Sequence, residues 1–171
     1  MSQIWCSDEN KTVELGIPRG EFIAQNLLSL KLNIKSILDI CCGRGFVLQG
    51  IKLWYPEAAC YGLDMETFTD WNQWDKLTFI KSSLQEFIKN TSQTFDLVLM
   101  METWRNWSQQ DDGGNFRREL IDWFKWHTKY FVCSGPLLEL EEYEHIYIGN
   151  DDVESRKGYD IPINLIYMEN K

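Results

Sequence analysis

No uncharged stretch of this 171-residue chain exceeds the nine residues of Tyr130 to Leu138, far too few to span a bilayer, so no membrane-crossing helix is expected. Basic residues are scarce: 17 Lys and Arg face 26 Asp and Glu, for a net charge of -9. The densest basic cluster is the pair Arg117 and Arg118. Such a surface repels a phosphate backbone, which excludes nucleic acid as an expected partner. No C-x-x-C is present, and the five cysteines (Cys6, Cys41, Cys42, Cys60 and Cys133) are an odd number. The first ten residues lack the basic start and apolar run of an export signal. Reduced thiols and a cytoplasmic location are therefore expected. The two histidines, His127 and His145, have no close Cys or His partner, so no metal is expected. Proline is also sparse, with 4 residues, while 14% of the chain is aromatic, which excludes a disordered chain. The length fits one domain, residues 1–171.

What is present is alternation. The segment to about Gly16 is polar and expected to be loose. Pro18 and Gly20 then open a helical pattern carried by Phe22, Ile23, Leu27, Leu28 and Leu30. Short apolar runs read as strands at 36–40, 59–63, 77–80, 95–101 and 130–133. Helical patterns fall between them at 46–54, 84–89 and 116–127. The 46–54 helix must stop before Pro56, because the residue preceding proline resists helical geometry. Strands alternating with helices predict a mostly parallel sheet covered on both faces. Two extended runs, 144–148 and 161–168, have no helix between them and predict a C-terminal antiparallel hairpin. Pro162 cannot donate to a ladder, so it belongs at a strand start or a bulge.

Chemistry concentrates at the ends of these strands. Leu38-Asp39-Ile40-Cys41-Cys42-Gly43-Arg44-Gly45 places a glycine turn between the first strand and a helix. In open α/β sheets ligands bind at that end. The turn lacks the Gly-Lys-Ser/Thr ending of a phosphate loop. It is also a poor nicotinamide fingerprint, because Leu48 stands where the third glycine belongs. Asp39 adds negative charge just before the turn, which suits a cationic ligand. Tyr61-Gly62-Leu63-Asp64 ends the second strand with an acid 25 residues beyond Asp39, where a carboxylate can accept both hydroxyls of a ribose. Ser83, three residues before Glu86, is open to two readings: a ligand contact or a helix cap. Cys41 and Cys42 read as small packing residues rather than reactive thiols. Most of the tryptophans, Trp71, Trp74, Trp104, Trp107, Trp123 and Trp126, read as core and lid packing. Trp104 and Trp107 also suit the wall of a pocket for a cation.

Asp39-Ile40-Cys41-Cys42-Gly43-Arg44-Gly45 resembles motif I of the class I S-adenosylmethionine-dependent methyltransferases, with Cys41 in place of the first glycine. Asp64 resembles that family's motif II acid. The segments 79–84 and 95–104 resemble its third and fourth strand ends, so the likeness runs through nearly the whole chain. The resemblance implies a Rossmann-like seven-stranded sheet and S-adenosylmethionine as cofactor. It implies cofactor contacts from Asp39, Cys41, Gly43, Gly45, Asp64, Met65, Ser83, Leu84 and Met100. Glu102 and Trp104 lie where relatives build the floor between cofactor and substrate, and are the candidate catalytic residues. Asp96, at a strand start, reads as structural. The loop Thr103 to Asn115 reads as a lid. The expected acceptor is a small molecule, with a basic protein or peptide as a second class. The competing expectation is a related domain that binds the cofactor or a partner without transferring methyl.

Overall fold

A computed structural model of the chain describes residues 9–101, 103–104, 115–135, 137, 140–150 and 161–168, with side chains from Leu15 onward. The elements run α1 (Glu9–Ser29), β1 (Ser36–Ile40), α2 (Phe46–Trp54), β2 (Ala59–Asp64), a 3-10 turn (Thr69–Gln73), β3 (Leu77–Lys81), α3 (Leu84–Asn90), β4 (Phe95–Met100), α4 (Asn115–His127), β5 (Thr128–Ser134), β6 (His145–Asn150) and β7 (Pro162–Tyr167). The sheet has seven strands in the order β3-β2-β1-β4-β5-β7-β6. Neighbours from β3 to β5 pair parallel. Then β7 inserts antiparallel between β5 and β6, which makes the expected hairpin. Pro162 opens β7 opposite Asn150, the last residue of β6, so its missing N–H falls at the end of the ladder.

The central strands face two cores. Along β1, Ile37 joins Leu48, Ile51, Leu97 and Val132 beneath α1 and α2. Its neighbours Leu38 and Ile40 join Phe87, Val98, Phe124 and Phe131 beneath α3 and α4. Burial on both faces explains why these strands read as continuous apolar runs rather than alternating ones. At the amino ends of the strands, Asp96 accepts the N–H groups of Lys35 (2.8 Å) and Ser36 (3.1 Å) and meets Lys129 Nζ at 2.8 Å. Partial burial pushes this carboxyl up, but those contacts outweigh it and hold it below its usual range. Asp96 thus ties β4 to the starts of β1 and β5, which is a structural role.

Helix α1 corrects the sequence reading. It begins at Glu9, where a loose segment to about Gly16 was expected, and runs on through Pro18. The reason is tertiary. A Cβ at Gly20 would lie 2.1 Å from the Val47 carbonyl oxygen, and one at Gly50 would lie 2.2 Å from that of Ile17. Backbone therefore meets backbone where α1 crosses α2, and this packing overrides the weak local helix signal.

Candidate functional site

The carboxyl ends of β1, β2 and β4 converge on the glycine turn. Three of its residues have left-handed backbones: Cys41 (φ 58), Gly43 (φ 53) and Gly45 (φ 85). A side chain at such a position costs on the order of 1–2 kcal/mol. Cys41 bears that strain where related motifs use glycine. At Gly45 a Cβ would also strike the Phe79 ring, 2.7 Å away. The turn is closed by Gly45 N–H donating to the Cys42 carbonyl (3.0 Å) and tied to β2 by Cys42 N–H donating to that of Leu63 (3.1 Å).

Asp64 completes it. Its Oδ2 accepts the Gly43 N–H at 2.9 Å, and its Oδ1 accepts the Glu66 N–H at 3.1 Å. An ionised carboxylate has about four acceptor positions, so capacity remains for a ligand's hydroxyls. The next residue, Met65, leaves a large apolar side chain 66% exposed.

Asp39 is buried at the end of β1. Burial pushes its carboxyl up to about 8; the negative charge of Asp64 adds to that, and Arg19 of α1 draws it down. The Cys41 thiol is pushed up to about 12, first by burial, then by Asp64, with a hydrogen bond to Thr103 opposing and Asp39 adding. Cys42 is driven up as well, by burial and then by Asp39 and Asp64. The neighbouring acids Asp39 and Asp64 thus disfavour the thiolate form at both cysteines. Among the described residues, no group of three His, Cys, Asp or Glu side chains could hold a metal ion.

The buried acid has a measurable consequence. Below pH 4 Asp39 is protonated in both folded and unfolded chains. Between pH 4 and about 8 only the unfolded chain ionises, so its contribution to stability is lost as pH rises. Asp39→Asn should gain on wild type steadily as pH rises from 4 to about 8 and keep that advantage above it. Urea melts across that range check this; a difference independent of pH would show that Asp39 is ionised throughout.

Other candidates sort differently. Ser83 caps α3, its Oγ accepting the Glu86 N–H at 3.1 Å, so its hydroxyl already has a structural use. Leu84 is buried as the first residue of that helix. Met100 is fully enclosed in the core beneath α3 and α4 rather than open at the cleft. Trp104 is likewise enclosed, edge-on to Phe131 at 5.5 Å, so the structure makes it a core residue and not a pocket wall. The physical reason is its place over the α4 side of β4, among Leu120, Phe124 and Leu140. Glu102, Trp107 and most of the expected lid lie outside the described residues.

Sequence reasoning missed the contribution of the β2–β3 connection. Trp71 donates its indole N–H to the Gly43 carbonyl (2.8 Å), and Trp74 donates to that of Arg44 (3.2 Å). Arg44 Nε meets Asp70 Oδ2 at 2.6 Å. The available signal was the close spacing of Asp70, Trp71 and Trp74 before a strand, which composition alone had assigned to packing.

No protein-family model matches the sequence, and no curated protein matches it. Solved structures do match by shape. The plantazolicin methyltransferase BpumL in complex with SAH superposes with a TM-score of 0.58 at 17% identity, over 94% of this chain and 86% of that one. The bifunctional kinase-methyltransferase WbdD gives a TM-score of 0.65 at 15% identity over 91% of this chain. This chain spans only 39% of WbdD, well under half its length. The sheet order, the C-terminal antiparallel hairpin and these superpositions show a Rossmann-like, class I methyltransferase fold. No helix of the described residues is long and apolar enough to cross a membrane.

Proposed function

We propose that this chain binds S-adenosylmethionine at the carboxyl ends of β1, β2 and β4 and transfers its methyl group to a small-molecule acceptor. One observation carries the reading: the Asp64 carboxylate and the left-handed glycine turn are joined by the 2.9 Å Gly43 bond into a single preformed surface. The residues present fit the cofactor's chemistry. Asp64 has spare acceptor capacity for ribose hydroxyls. Met65 offers an exposed apolar face to an adenine, and the Leu84 backbone stands at the start of α3 beside it. The Asp64 carboxylate makes the turn electronegative, which favours a sulfonium over the pyrophosphate of a dinucleotide.

The sulfonium supplies an already activated methyl group. The chain's task is then to hold the acceptor in line and exclude water, and orientation alone can contribute roughly 7–11 kcal/mol. The net charge of -9 disfavours nucleic acid as the acceptor and leaves basic peptides as the second class. The alternative, binding without transfer, draws on the two departures from the motifs, Cys41 in the turn and Ser83, whose hydroxyl is engaged as a helix cap.

Melting curves and a labelling screen test this. Cofactor at about 100 times its Kd should add roughly 2.7 kcal/mol, and NAD nothing. That gain raises the Tm by roughly 5–10 °C in a chain of this size. Incubation with methyl-labelled cofactor should then label a component of a small-molecule extract and leave basic peptides blank. A Tm shift without any labelled product favours the binding-only alternative; absence of the shift overturns both readings.

A further inference from the structure

We propose that Trp71 and Trp74 are positioning residues for the cofactor, acting as a clamp on the back of the glycine turn. The inference rests on the methyltransferase reading for its purpose, and on the hydrogen bonds for its existence. The two indole N–H groups hold consecutive carbonyls of the turn, those of Gly43 and Arg44, at 2.8 and 3.2 Å. In a trans peptide the carbonyl and the following N–H point in opposite directions. Fixing the two carbonyls toward the connection therefore also fixes the Arg44 and Gly45 N–H groups facing the other way. The turn needs that restraint, because glycines at positions 43 and 45 have the freest backbones available.

The clamp is itself anchored. Trp71 stacks on Phe79 of β3, with ring centres 4.6 Å apart and planes 7° from parallel. Phe79 in turn fills the space above Gly45 and Gly62 that a Cβ would occupy at 2.7 Å. Trp74 packs edge-on against Phe46, the first residue of α2, at 5.7 Å. Asp70 adds the 2.6 Å contact to Arg44. A short connection thus grips the turn at two carbonyls and one guanidinium and braces it against a strand and a helix. A turn ordered before binding loses less entropy on binding, so the clamp contributes to affinity without touching the ligand.

Trp71→Phe and Trp74→Phe remove the donors and keep most of the aromatic packing. The control is Trp126→Phe, at an exposed tryptophan next to the amino end of β5. The readouts are hydrogen exchange of the amides of residues 43–46, the indole N–H signals, Tm, and the Kd for S-adenosylmethionine. In wild type the indole N–H protons of Trp71 and Trp74 should exchange slowly. Each clamp variant should speed exchange at the turn and weaken the cofactor about tenfold, a loss of about 1.4 kcal/mol. Tm should fall by no more than about 4 °C, and the control should change nothing. Unchanged exchange at the turn, an unchanged Kd, or a rise in exchange across the whole sheet would each overturn the proposal. Wild type that fails to bind the cofactor sinks the methyltransferase reading instead, and the exchange data still decide whether the clamp exists.

Discussion

Gly50→Ala should destabilise the protein by about 3 kcal/mol, although it replaces the poorer helix former with the best one. The two effects have opposite sign, so the measurement decides between them. In an exposed helix the exchange would gain roughly 1 kcal/mol. Here the new methyl would lie 2.2 Å from the Ile17 carbonyl oxygen and 3.0 Å from both Gly20 Cα and the Glu21 nitrogen. All three are backbone atoms of α1, so no side chain can turn away to make room. The helices must part, and the shared core of Ile23, Leu27, Leu48 and Ile51 parts with them. Gly20→Ala meets the same obstacle from the other side, 2.1 Å from the Val47 carbonyl oxygen. The double variant should therefore cost less than the sum of the singles, since the first substitution already separates the helices. Urea melts should show a lower midpoint at an unchanged slope. A Gly50→Ala protein more stable than wild type would mean that the two helices do not touch as described. The crossing also bears on the site, because α1 carries Arg19, the cation that opposes the charging penalty on Asp39.

The same crossing shows what the sequence could and could not reveal. Strand β1 was legible to the residue, because a short apolar run bounded by a glycine turn has few other folded fates. The hairpin was legible from two extended runs with no helix between them. The start of α1 was not, because Gly16, Pro18 and Gly20 are local breakers, and the value of the two glycines lies in a partner helix about 30 residues away. Within the site, Asp64 and the turn were legible because acid and glycines occupy fixed offsets from strand ends. Trp71 and Trp74 were not, since they bind backbone carbonyls 28 and 30 residues distant, and a carbonyl has no signature in a sequence. Met100 illustrates a further limit. Successive residues along an extended chain face opposite sides, so Met100 enters the α3 and α4 core while Met101 enters the other one. Periodicity identified the strand without saying which methionine would face which side.

Asp64→Ala should weaken S-adenosylmethionine binding by about a hundredfold or more. Hydrogen bonds to a charged group contribute roughly 1.5–3 kcal/mol each, and two lost ribose contacts reach that factor. The alanine also strands the N–H groups of Gly43 and Glu66, which accounts for a separate loss of about 1–2 kcal/mol of stability. Asp64→Asn separates these effects. Its amide keeps one oxygen for Gly43 or Glu66 but turns an NH2 toward the other N–H, so the ligand loses at least one acceptor. Both variants remove the charge that helps keep Asp39 protonated. The fall in stability above pH 4 should then be shallower and finish at lower pH than in wild type, with burial of Asp39 supplying what remains. Calorimetric titration and pH-dependent urea melts on the same two variants read affinity and coupling independently. Wild-type affinity in Asp64→Ala would remove the carboxylate from the ligand site. A changed affinity with an unchanged pH profile would keep Asp64 there but show that its charge does not reach Asp39.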